Sequence, residues 1–266
     1  MREARCLTTH YMTPQKIGIT LFGLSVLAIA LLFGVGGKKG FKSLISLALT
    51  IIILMSVIIP LIANGYDPAW VTFIAAIPIT VLIIYLTEGF TVLSNISIVA
   101  ILFNFSLVSL LAYFSISFAG FTGVISDAAS VVGGEVGINL QSLLIAGIML
   151  GTLGAIIEMV VTQVATVIEF IEASPHADKK YIYKQSYNVG VAHLGSIINT
   201  LFLIYAGILL PLLIVSIGSP NPLSEIIGYE PLSSEIVRTL AGTIGLIIAM
   251  PTSTFLAIFW LKRKHE

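Results

Sequence analysis

Residues 147–173 read GIMLGTLGAIIEMVVTQVATVIEFIEA, and this stretch decides the fold class. Its first twenty residues hold a single charge, Glu158. Crossing a hydrocarbon layer of about 30 Å takes roughly 20 consecutive apolar residues as a helix. Runs of that kind recur along the chain, and Leu44 to Ile59 is another. Inside lipid every backbone amide needs an internal partner, so a spanning run is a helix or belongs to a closed barrel. Barrel strands alternate apolar and polar residues over about ten positions. Leu44–Ile59 does not alternate, so the reading is helical.

Composition agrees. Of the 266 residues 57% are hydrophobic and 10% charged, against roughly 25% charged in a soluble domain. The expected fold is all-α: a polytopic bundle of about seven helices at residues 17–35, 41–62, 69–86, 96–118, 141–172, 189–217 and 236–261. Residues 1–16 form a tail, with Met12 as an alternative start, 17–261 the membrane domain, and 262–266 a basic cytoplasmic tail. Lysine and arginine are retained in cytoplasmic loops. With the N-terminus outside, nine of them, including Lys38, Lys39, Lys42, Lys179, Lys180 and Lys184, fall inside and four outside. The expected topology is therefore N-out/C-in, in the plasma membrane. Trp70 and Tyr66 fall near the outer boundary and Trp260 near the inner one, where amphipathic rings belong.

With 13 basic and 13 acidic residues, no basic arm marks a nucleic-acid binder. Cys6 is the one cysteine, so no intramolecular disulfide is available. The glycines and lysines of GVGGKKG lack the hydroxyl and the preceding strand of a P-loop. No HExxH, GxSxG or paired-cysteine motif occurs. The expectation is a protein that is not an enzyme and has no cofactor and no metal.

Glu158 carries the candidate chemistry. A charge at mid-membrane costs roughly 2.5–3.5 kcal/mol on insertion scales, so it usually faces a bundle interior or a wet cavity. At 100° per residue, Gly147, Gly151, Gly154, Thr162, Glu169 and Glu172 lie within about 60° of it. Small residues at that spacing let a second helix approach closely. In the sixth span Asn199 shares a face with Gly195 and Ser196, and can bond across to Glu158 and Thr162. Two readings stay open: a packing seam with glutamates near the inner interface, or a polar pathway for a substrate or ion. His193 reads as an interfacial histidine. Pro78, Pro211 and Pro251 interrupt spans, and the hydroxyls of Thr252, Ser253 and Thr254 can satisfy the carbonyl that Pro251 frees.

Three segments, GGKKGFKSLISL, GAIIEMVVTQVATVIEF and GSIINTLFLIYAG, together with NGYDP, resemble the YibE/F family of multi-pass membrane proteins over about Gly34–Ile217. The family's Asp and following hydroxyl match Glu158 and Thr162; its Asn-Thr pair matches Asn199 and Thr200, and its tyrosine Tyr205. Its Arg-Asp pair is replaced by Val191 and Ala192. The extra soluble segment of the longer family type is lacking, so the likeness is to the shorter type. The resemblance implies an inner-membrane protein paired with a related longer one, and no particular substrate. The functional expectation is a transporter or permease with a polar site of Glu158, Thr162, Glu169, Asn199 and Thr200, packed through Gly147, Gly151, Gly154 and Gly195. The alternative is a non-transporting membrane subunit that scaffolds a related partner. Lipid is the expected surroundings, with homo- or hetero-oligomers open.

Overall fold

The computed structural model describes residues 14–217 and 222–262. Cys6 and Met12, and the C-terminal tail from Arg263, lie outside the described residues. Nine α-helices and one π-turn follow in order among those described: α1 Pro14–Ile53, the π-turn Leu54–Ile58, α2 Ile59–Ala63, α3 Pro68–Glu88, α4 Val92–Ala119, α5 Asp127–Val136, α6 Leu140–Ala173, α7 Lys179–Ile217, α8 Leu223–Gly228 and α9 Glu230–Lys262.

Local chemistry sets the boundaries. Asp67 caps α3 by accepting from the Trp70 amide, with Pro68 at the first helical position. Thr91, Ser126 and Asn139 cap α4, α5 and α6 in the same way. These side chains satisfy donors that have no partner inside the helix. Gly120 ends α4 in the left-handed region (φ 70°), which glycine enters without steric cost. The π-turn stands just ahead of Pro60, which has no amide to donate; there the Ile59 amide reaches back five residues to the Leu54 carbonyl.

Six helical runs are long and apolar enough to cross a membrane. The first of them, residues 16–63, contains both of the first two expected spans. The loop expected between those spans contracts to one break at Gly37 (φ 52°, ψ −133°). A Cβ on Gly40 would collide with the Leu32 carbonyl, so the turn needs glycine at both positions. Each half, 14–36 and 38–63, exceeds the roughly 20 residues a crossing requires. Residues 16–39 are exposed throughout, so among the described residues the first half touches its surroundings mainly at the turn, where Leu32 meets Gly40 and Phe33 meets Phe41.

Two other boundaries move. The charged segment expected as a loop before residue 189 is mostly helix, because α7 starts at Lys179 after the short connection 174–178. The last span starts at Glu230 rather than 236, which brings Glu235 into the helix.

The bundle is built around α6, which packs against α3, α4, α7 and α9. Helices approach closely where side chains are small: Ala100 and Ala112 of α4 and Ala249 and Ala257 of α9 are fully buried. Phe73 of α3 stacks on Phe105 of α4 at 5.8 Å. α7 joins this core at its start through the fully buried Ile182, and farther along it packs through a separate cluster in which Ile197, Leu201 and Tyr205 meet Met159 of α6 and Leu246 and Met250 of α9. The helices, the apolar runs and the absence of strands among the described residues make this a multi-pass membrane protein.

Candidate functional site

Two contacts set the antiparallel register of α6 and α7. Gly151 lies against the Tyr205 hydroxyl, and Gly190 against the Gln163 amide. Glu158 is therefore level with about Ser196–Ile198. Glu158, Thr162 and Glu169 are nonetheless exposed on α6, as are Asn199 and Thr200 on α7. Among the described residues no hydrogen bond joins Glu158 to Asn199, and the Thr200 hydroxyl donates to its own helix at the Ser196 carbonyl, 3.0 Å away. Gly151 does receive the neighbouring helix, through Tyr205, and Gly147 lies near the Arg238 guanidinium of α9. Gly154 and Gly195 face open space.

What joins α6, α7 and α9 is a pair of polar pins, one on each side of the apolar cluster. In the first, the buried Gln163 amide donates to the Ser186 carbonyl at 2.9 Å and to the Thr254 hydroxyl oxygen at 2.7 Å. In the second, Arg238 contacts both carboxylate oxygens of Glu235, at 3.0 and 3.2 Å. Its guanidinium also lies 5.7 Å from the Tyr205 ring centroid, within the range of a cation–π contact. The Arg238 Nε is buried without a hydrogen-bond partner, as is Nε2 of the half-buried His193. A third polar contact joins α9 to α4, where the Thr252 hydroxyl donates to Asn104 Oδ1 at 3.1 Å. The Ser253 and Thr254 hydroxyls donate to the Ala249 and Met250 carbonyls, and the one Thr252 hydroxyl hydrogen is shared between Asn104 Oδ1 and the Ile248 carbonyl. They do so rather than to Ile247, whose carbonyl the proline leaves without an amide.

A hollow with polar side chains in its lining lies elsewhere, in a cleft of about 650 Å³ between α3, α4 and α6. None of the five expected pathway residues lines it. Ser106, Ser109, Tyr113 and Ser117 of α4 line one wall. Their spacing of three, four and four residues puts them on one helical face. Opposite stand Asp67, Trp70 and Phe73 at the start of α3, and Asn139, Gln141 and Ser142 at the start of α6. The Ser142 hydroxyl oxygen accepts from the Ala69 amide at 3.0 Å, tying the two helix starts together. Glu230, at the start of α9, accepts from the Gly123 amide and the Thr122 hydroxyl in the loop beyond α4. The Gln141 side chain in turn donates to the Phe121 carbonyl. The mouth is thus held by polar contacts from several elements. Ser106 lies thirteen residues from the end of α4 at Ala119, or about 20 Å at 1.5 Å per residue. The cleft therefore runs from one end of the bundle to about the middle of the span.

The sequence profile of the family described as YibE/F-like protein matches residues 24–263. The chain belongs to the YibE/F-like family. No curated protein and no solved structure matches it. The YibE/F-like match extends past the 34–217 region of motif likeness and takes in α9, which supplies Arg238, Thr252 and Thr254 to the polar contacts. Motif reading passed over the cleft of this YibE/F-like chain because serines in an apolar run look like ordinary helix residues. Their three-four-four spacing was the available signal.

Proposed function

We propose that this YibE/F-like protein is a permease whose solute enters the α3–α4–α6 cleft. The supporting observation is a hollow of about 650 Å³, largely apolar with a stripe of polar side chains, that reaches mid-span at Ser106. Polar groups cost free energy in hydrocarbon unless they face protein or water. A stripe of hydroxyls along a cleft wall suits a wet route. The end of the bundle holding Asp67 and Asn139 is the one that the charge bias assigns to the outside.

The test is labelling by a charged, membrane-impermeant thiol reagent in a Cys6→Ser background. Ser106→Cys should react from the outside. Leu203→Cys should not: it is 67% exposed on α7 and at similar depth, so it serves as the lipid-facing control. An unreactive Ser106→Cys in folded protein would remove the basis for the permease reading.

A second reading has its own support. Glu158 is uncovered in the single chain, and Gly154 and Gly195 beside it face open space. We propose, as the alternative, a membrane subunit whose α6–α7 face is covered by a related longer protein. That reading predicts co-purification with such a partner, lost in Glu158→Leu, and no solute flux by the purified chain.

A further inference from the structure

The cleft's charge has a sign. Among its lining residues Asp67 is the only charge, and no lysine, arginine or histidine is present. Among the described residues Asp67 forms no ion pair; its Oδ1 accepts from the Trp70 amide, which leaves Oδ2 free. The hydroxyl hydrogens of Ser106 and Ser109 are spent on the Leu102 and Phe105 carbonyls, at 2.8 and 2.7 Å. Both serines therefore present lone pairs to the cleft and no proton. One Gln141 side-chain N–H is used on the Phe121 carbonyl, which leaves its second N–H as a donor and its Oε1 as an acceptor. Free donors remain as well, namely the Asn139 side-chain nitrogen, the second Gln141 N–H, the Trp70 indole N–H and the Tyr113, Ser117 and Ser142 hydroxyls, so the selectivity of the cleft rests on its charge and its rings.

Aromatic rings complete the wall. Trp70 meets Phe73 edge-on at 6.2 Å, and Tyr113 stands on the α4 side. Aromatic faces attract cations and gain little from anions. A cleft with one carboxylate, no cationic side chain and exposed rings matches a positively charged solute with polarised C–H or N–H groups.

We propose that the cleft binds an organic ammonium solute, with Asp67 as its counter-ion and Trp70 against its charged head. This rests on the permease reading, which supplies the wet cleft. The substitution that isolates the charge is Asp67→Asn, because asparagine caps a helix as well as aspartate does.

The chain has two tryptophans, Trp70 and Trp260, so Trp260→Phe leaves Trp70 as the sole reporter. Titration of the full-length protein in nanodiscs with choline and with tetramethylammonium should change Trp70 emission saturably. Acetate and glycerol should not. Asp67→Asn should weaken the cation response by about two- to fivefold, the scale of one exposed charge pair. An equal response to acetate or glycerol, or an unchanged cation affinity in Asp67→Asn, overturns the proposal. If Ser106→Cys labels from outside while neither cation is seen by Trp70, the solute class falls and the permease reading stands. If Ser106→Cys stays unlabelled, both fall.

Discussion

Removing Glu235 should harm this protein more than removing Arg238, and removing both should harm it least. The two side chains are 10% and 16% exposed and meet at 3.0 Å inside the last span. Breaking a buried pair by deleting one partner costs about 3–5 kcal/mol, because the other charge is left buried and alone. The two deletions differ in what remains. Glu235→Leu strands a guanidinium, which cannot shed its proton, and the Arg238 Nε already lacks a partner. The full penalty of about 3–5 kcal/mol applies there. Arg238→Leu strands a carboxyl, which can take up a proton and become neutral. Adding the lost contact with Tyr205, about 0.5–1 kcal/mol, brings that variant to about 1–3 kcal/mol. The double leucine variant replaces the pair with apolar volume and should lie within about 1 kcal/mol of the parent. Denaturant unfolding of the four proteins in one detergent closes the cycle and should give a coupling of several kcal/mol. A double variant as unstable as Glu235→Leu, or equal losses for the two single variants, would refute this account of the pair.

The same assay checks three further outcomes. Gly190→Ala should cost about 1–3 kcal/mol by overpacking, since its Cβ would sit 2.6 Å from Gln163 Oε1 and 2.9 Å from Met250 Cγ; Gly154→Ala, facing open space, should be neutral or slightly stabilising. Gln163→Leu should cost about 1–3 kcal/mol by removing the two buried hydrogen bonds of the pin, and a more stable variant would mean that the pin contributes nothing. Glu158→Leu should leave the stability of the isolated chain unchanged or raised, because the carboxylate has no hydrogen bond or ion pair among the described residues; a loss like that of Glu235→Leu would show that Glu158 is buried after all.

The membrane-spanning helical fold was legible in the sequence because lipid imposes a local rule. A run such as residues 141–172 must bond its own backbone, whatever surrounds it. The caps Asp67 and Asn139 are equally local, as each needs only its own first turn. The same locality let residues 147–173 mark out a small-residue face and the carboxylate on it. Which side of the bundle that face occupies is a tertiary matter. Periodicity placed Gly151, Glu158 and Thr162 together, and only packing put Tyr205 over Gly151 while leaving Glu158 outside. Arg238 reads as an outer basic residue until α9 is seen to begin at Glu230 and carry it beside Glu235 and Tyr205. The cleft is tertiary for the same reason. Its walls come from residues 67–73, 106–117 and 139–149, and no local rule states how three helices lean apart.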